Sequence, residues 1–205
     1  MTEIGLYLVT PVLSEADGFL PCLEEALNLC APASVLLRLA PASEAASGAL
    51  IGAIAPRVQQ SGAALVIEDA PELALKCGAD GVHIRGVGAA LDAAIKRLSP
   101  GHIVGAGGLP TRHDAMSAGE AGADYVVFGD WDAPLDPEEC ASRVAWWAEL
   151  FTTPCVAYVS ALAEIEALAK AGADFVMLGD CIWRDPRGVA PALAEARSAL
   201  DGRKG

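Results

Sequence analysis

Short apolar runs recur along this chain, each bounded by polar or helix-breaking residues. They fall at 5–10 (closed by Pro11), 34–39 (stopped by Pro41), 63–67, 81–84, 103–105, 124–128, 154–159 and 175–178. Runs this short and this continuously apolar suit parallel strands covered on both faces. Between them, apolar residues recur at three- and four-residue spacing, the helical period. Leu20, Leu23 and Leu27 share a stripe on a helix over 18–30. Leu50, Ile54 and Val58 do so on one over 43–61, which Pro56 should kink or split. A helix over 88–98 follows the fourth run, and Val189, Leu193, Ala196 and Leu200 align on the last, over 188–200. Cap signals place further starts. Asp69 opens the third helix, Thr111 the fifth through T-x-x-D, DPEE at 136–139 the sixth, and Ser160 the seventh.

One pattern appears three times: KCGADGVHI at 76–84, EAGADYVVFGD at 120–130 and KAGADFVMLGD at 170–180. Gly78, Gly122 and Gly172 each follow an Ala-rich helical run, where glycine closes a helix in the left-handed conformation. A strand then begins within two residues. The copies lie 44 and 50 residues apart. A βα unit takes roughly 25–30 residues, so each interval holds two. Eight strands alternating with eight helices predict a (β/α)8 TIM barrel, one domain over 1–205. An open doubly wound sheet is the alternative, but it usually has five or six strands.

Aligning the copies predicts facing. Val82, Val126 and Val176 correspond, as do Ile84, Phe128 and Leu178, an apolar set suited to packing on helices. The other parity holds His83 and Arg85, which therefore point into the barrel. Leu36 and Arg38 share a parity, and an arginine buried against helices would be costly. Chemistry in such a barrel sits at the C-terminal strand ends. Those ends carry Arg38; Glu68 and Asp69; His83 and Arg85; the Gly105–Gly108 loop; Asp130, Trp131 and Asp132; Tyr158 and Ser160; Gly179 and Asp180. Asp69 is a helix cap or a metal ligand, and both roles can hold. His83 is a satisfied interior histidine or a site residue. The glycine-rich loop is a candidate phosphate cradle. Of Trp146 and Trp147, one should face the sheet and the other is a candidate oligomer contact.

Charge narrows the partners. With 27 acidic and 14 basic residues the net charge is −13, which disfavours nucleic acid and anionic membranes. The one basic cluster is Arg203-Lys204. The six cysteines form no C-x-x-C pair, which points to a reduced, cytoplasmic protein. No run approaches the ~20 apolar residues of a membrane span, and the N-terminus lacks a signal-peptide pattern.

The chain resembles the thiamine-phosphate synthase/TenI superfamily. The resemblance is carried by VLLR at 35–38, VIED at 66–69, LALKCGADGVHI at 73–84, GADYVVFG at 122–129, PCVAY at 154–158 and KAGADFVML at 170–178. It implies a barrel that joins a hydroxymethylpyrimidine diphosphate to a thiazole phosphate with Mg2+, releasing pyrophosphate. In TenI-type relatives it implies thiazole tautomerisation or binding alone. Arg38, on the diphosphate, and His83, lining the pyrimidine pocket, are the implied catalytic positions, with Glu68 and Asp69 on the metal. Arg85, Gly107, Tyr158, Ser160, Gly179 and Asp180 are the substrate-binding positions.

Several family residues are replaced. Leu36 and Ala40 stand for a Gln and a Lys, Arg85 and Gly86 for a Gly and a Gln, and Gly88 for a second metal-binding Asp. Gly107 stands for a Ser, Val159-Ser160 for Gly-Gly, Asp180 for a Ser, and DWDAPLDPEE for a Thr-x-Thr-Lys loop. Asp180, with Asp130 and Asp132, makes the mouth acidic. Like charges 4 Å apart repel by about 4 kcal/mol at an effective dielectric of 20, so a phosphate here needs compensating cations, for which Arg38, Arg85 and Arg184 are the candidates.

Overall fold

The eight apolar runs pair edge to edge, in parallel and in chain order, until the eighth meets the first. A computed structural model describes residues 4–201; the Arg203-Lys204 cluster lies outside the described residues. The strands are β1 (Gly5–Leu13), β2 (Ser34–Leu39), β3 (Ala64–Glu68), β4 (Gly81–Arg85), β5 (Ile103–Gly107), β6 (Tyr125–Phe128), β7 (Cys155–Val159) and β8 (Phe175–Leu178), and they close a barrel. Around them lie α1 (Leu20–Cys30), α2 (Glu44–Gln60), α3 (Pro71–Cys77), α4 (Ala89–Leu98), α5 (Arg112–Ala121), α6 (Pro137–Leu150), α7 (Ile165–Ala171), α8 (Asp180–Trp183) and α9 (Val189–Asp201). The short α8 is an addition to the expected alternation.

The repeated pattern has one structural job. Gly78, Gly122 and Gly172 close α3, α5 and α7 at φ of 69°, 101° and 101°. The aspartate two residues on then ties its own strand to the preceding one. Asp80 accepts from the Leu65 N–H at 2.7 Å, Asp124 from Val104 at 2.7 Å and Asp174 from Cys155 at 2.8 Å. Each aspartate N–H also donates to the carbonyl of that same residue. The copies therefore mark β4, β6 and β8 and lock each to its odd-numbered neighbour, which is why each interval holds two units.

Side-chain facing follows the predicted parity. Val82, Val126, Val176, Ile84, Phe128 and Leu178 pack in the shell between barrel and helices. Tyr7, Val9, Leu36, Val66, Tyr125, Val127, Val156, Tyr158 and Met177 fill the barrel interior. Trp147 is fully buried in the outer shell, and its N–H donates to the Thr153 carbonyl. Trp146 is half-buried, with the Arg112 guanidinium 4.9 Å over its ring.

Five local expectations are corrected. β1 does not stop at Pro11 but runs on to Leu13. Its register against β2 shifts between Val9 and Val12, and proline is tolerated at such a bulge because no ladder bond needs its missing N–H. The α2 helix is not split at Pro56, whose exposed position leaves the lost bond on the solvent side. Residues 105–107 are strand, not loop. A Cβ on Gly105 would lie 2.0 Å from the Tyr125 ring, and one on Gly107 2.4 Å from His83 Nε2. These glycines admit two rings into the barrel. Asp69 does not cap α3, since Ala70 holds that position with no side-chain bond. Nor does Ser160 cap α7: a 3-10 turn (Leu162–Glu164) intervenes, and the Ser160 N–H donates to the Glu164 carboxylate.

Candidate active site

Arg38 is the penultimate residue of β2 and Arg85 the last of β4, both on the inward parity, so their guanidiniums converge over the barrel mouth. Between them stands Asp132, from the connection between β6 and α6. It accepts from Arg85 at 2.6 Å and from Arg38 at 3.3 Å. Arg85 reaches Asp130 with its other terminal nitrogen at 2.8 Å, and Arg38 reaches Glu68 through Nε at 3.4 Å. The acids expected to repel a phosphate are thus held by two of the predicted cations. Trp131 lies under both guanidiniums, 5.0 Å from that of Arg38 and 5.5 Å from that of Arg85. Its ring also covers His83, at 5.7 Å between centroids, and meets Tyr158 edge-on at 6.1 Å.

Below Trp131 the barrel axis holds a chain of three polar side chains. The Tyr7 and Tyr125 hydroxyls bond at 2.7 Å, and the Tyr125 hydroxyl meets His83 Nδ1 at 3.1 Å. Burial raises both phenols, so they stay protonated. His83 is fully buried; burial and then the Arg85 charge push its pKa down to about 3. A histidine neutral at pH 7 is a hydrogen-bonding and packing group there, not a proton shuttle. Its pKa falls from 6.5 unfolded to about 3 folded, so between those values the unfolded chain binds the extra proton. Stability contributed by His83 is therefore present above pH 6.5 and lost as pH falls below it, by up to about 1.4 kcal/mol per pH unit. Glu68, raised chiefly by desolvation, acts in the opposite direction over its own range. Comparing the pH dependence of unfolding in wild type and His83→Gln isolates the histidine: the variant should lose less stability between pH 6.5 and 4.5.

The remaining predicted residues divide. Asp69 sits at φ 49° beyond β3, its N–H on the His83 carbonyl and its Oδ1 accepting from the Arg85 N–H at 2.9 Å. It ties two strand ends together and is exposed at the rim. Tyr158, Gly179 and Asp180 line a cavity of about 290 Å³ with Arg38, Trp131 and Asp132. Asp180 pairs with Arg184 at 3.2 Å, the third predicted cation. Ser160 is exposed and lies outside this lining, and Gly107 serves to seat His83. Tyr7, Tyr125 and Thr10 went unremarked in the sequence. The parity that turns Val9 and Val127 inward would have found the two tyrosines. Thr10 accepts from the Arg38 N–H at 3.1 Å, a contact made by the β1 bulge.

A family model described as thiamine monophosphate synthase matches residues 6–182. The chain belongs to the thiamine monophosphate synthase family. It is 35% identical over 207 residues to the thiamine-phosphate synthase of Rhodospirillum centenum, covering 98% of this chain and 100% of that one. It is 33% identical to the thiamine-phosphate synthase of Hyphomonas neptunium, covering 92% and 90%. Among solved structures, thiamine phosphate pyrophosphorylase from Pyrococcus furiosus superposes with a TM-score of 0.83 at 20% identity, covering 99% and 98%. A 3-hexulose-6-phosphate synthase superposes at 0.77 with 18% identity, covering 95% and 99%. At those identities the two structures speak for the barrel alone.

The Mg2+ that the resemblance implies meets few donors at this mouth. Among the described residues no three His, Cys, Asp or Glu side chains cluster as a metal site. Glu68 faces Arg38, and burial favours its neutral form. Asp69 retains an oxygen beyond the one engaged by Arg85. These donors alone are too few to hold a resident Mg2+. No described helix is long and apolar enough to cross a membrane.

Proposed function

We propose that this barrel makes thiamine phosphate, taking the pyrimidine as its diphosphate. In that reaction the thiazole nitrogen attacks the exocyclic methylene carbon of the pyrimidine. The carbon–oxygen bond to the diphosphate breaks, and its electron pair leaves with pyrophosphate. Arg38 and Arg85 hold the diphosphate and meet the charge that grows on it as the bond breaks. His83, neutral, packs beside the pyrimidine ring. Tyr158, Gly179 and Asp180 line the side that receives the thiazole phosphate, with Arg184 adjacent. Asp69 would hold Mg2+ through one carboxylate oxygen, and the bound ion would neutralise charge on the leaving group.

The observation that carries this reading is the convergence of two guanidiniums on one carboxylate. Asp132 is bound from both sides at 2.6 and 3.3 Å, so the mouth is a two-point clamp for an anion. A second reading, ligand binding without turnover, is favoured by Asp180, an acid where the family has a serine. Incubation with both phosphorylated substrates and Mg2+ separates the two. The synthase reading expects thiamine phosphate and pyrophosphate in equal amounts, lost in Asp69→Ala. Ligand-induced stabilisation with no thiamine phosphate would establish the second reading instead.

A further inference from the structure

We propose that Asp130 and Asp132 are specificity-determining residues: they occupy the arginine clamp as an internal stand-in for a diphosphate and admit only ligands with two linked anionic groups. This rests on the reading of the mouth as a diphosphate site.

Three observations carry it. First, Arg85 gives its two terminal nitrogens to two different carboxylates, and Arg38 shares one of them. Asp132 thus bridges the two guanidiniums while Asp130 places a second anionic group on Arg85, two places that two linked phosphoryl groups can fill together and a single one cannot. Second, the acids form one unit. Asp130 Oδ1 accepts from the Asp132 N–H at 2.8 Å, and Trp131 between them lies under both arginines. Displacing one acid therefore disturbs the other. The Asp132 side chain is 53% exposed, so an incoming anion can reach it.

Third, the self-occupied mouth leaves polar atoms unsatisfied. Glu68 Oε1, His83 Nε2 and Trp131 Nε1 are buried without a hydrogen-bond partner. Glu68 and His83 are paired neighbours across β3 and β4, and Trp131 covers His83. Each such atom carries a desolvation penalty. The internal occupant fills the clamp but not the polar positions beneath it. A ligand that moves Trp131 aside exposes those atoms to water or to its own polar groups. The segment is bounded by Gly129, at φ 86°, and by Asp136, held as the cap of α6.

The test is calorimetric titration of inorganic pyrophosphate and of orthophosphate into the full chain, in wild type and in Asp130→Asn/Asp132→Asn. Asparagine keeps the acceptor for the Asp132 N–H and removes both charges. Pyrophosphate should bind the double variant at least tenfold more tightly than wild type. Orthophosphate, which cannot displace both acids in the wild type, should gain by a larger factor. A pyrophosphate affinity within twofold of wild type, weaker, or undetectable overturns the proposal, as does an orthophosphate gain smaller than the pyrophosphate gain. If the double variant does not fold, Asp132→Asn alone, at a half-exposed position, should still gain about threefold, and no gain overturns it. Tighter pyrophosphate binding in a protein that makes no thiamine phosphate supports the inference and removes the synthase reading. Turnover with unchanged pyrophosphate affinity does the reverse.

Discussion

Arg85→Ala is expected to slow thiamine phosphate formation by about 10²–10³-fold, the loss typical when one preorganised donor to developing charge is removed. The reason lies in where β4 ends. Residues 83 and 85 share the inward parity, so the guanidinium emerges above the axis with its two terminal nitrogens 2.8 and 2.6 Å from separate carboxylates. Both nitrogens can then face a leaving diphosphate. Arg85→Lys should recover little, because an ammonium cannot present the planar fork. Arg187→Ala serves as the control. That side chain pairs with Asp185 and Glu195 on the outer surface, and its loss should leave the rate unchanged. A rate within threefold of wild type in Arg85→Ala would mean that the anion is held elsewhere.

The largest stability effect is expected at Trp147→Ala. Truncating a buried Trp costs about 3–5 kcal/mol. For a chain of this size each kcal/mol shifts the midpoint by about 2–4 °C, so thermal unfolding should fall by about 6–20 °C. The ring is fully buried and lies flat on Phe151 at 4.0 Å between centroids and edge-on to Phe128 at 5.7 Å. On α5, Gly119 makes room for it: a Cβ there would stand 3.1 Å from the indole. Removing the ring opens a void between two helices and strips the Thr153 carbonyl of its donor. Trp147→Phe should lose less, since it keeps most of the volume. A drop below about 3 °C for the alanine variant would show that the outer shell closes around the gap, a degree of collapse that buried Trp sites seldom allow.

The barrel was legible because its signals are local. Gly78, Gly122 and Gly172 close helices whatever lies across the molecule, and the period-two pattern turned Leu36, Arg38, His83 and Arg85 inward as observed. What escaped depends on partners distant in sequence. Pro11 reads as a strand stop until Arg38 is seen beside the bulge, bonded to Thr10 from 28 residues further along the chain. Gly105 and Gly107 read as a phosphate-binding loop because nothing nearby shows that the Tyr125 and His83 rings need the space. Asp69 and Ser160 have the residue types of caps, but backbone geometry at the strand ends gives them other work. The acidic connection after β6 was the hardest case. Taken alone, its charges argue against phosphate. Their meaning changes once Asp132 is found on Arg38, 94 residues earlier.

The central claim is that Arg38 and Arg85 form one anion clamp at the strand ends, filled for now by the chain's own carboxylates. The most direct measurement is a crystal structure of the protein with inorganic pyrophosphate. Pyrophosphate oxygens within hydrogen-bond distance of both guanidiniums, with Asp132 moved off them, is the predicted result. Pyrophosphate elsewhere, with Asp132 still bridging the two arginines, would contradict the account.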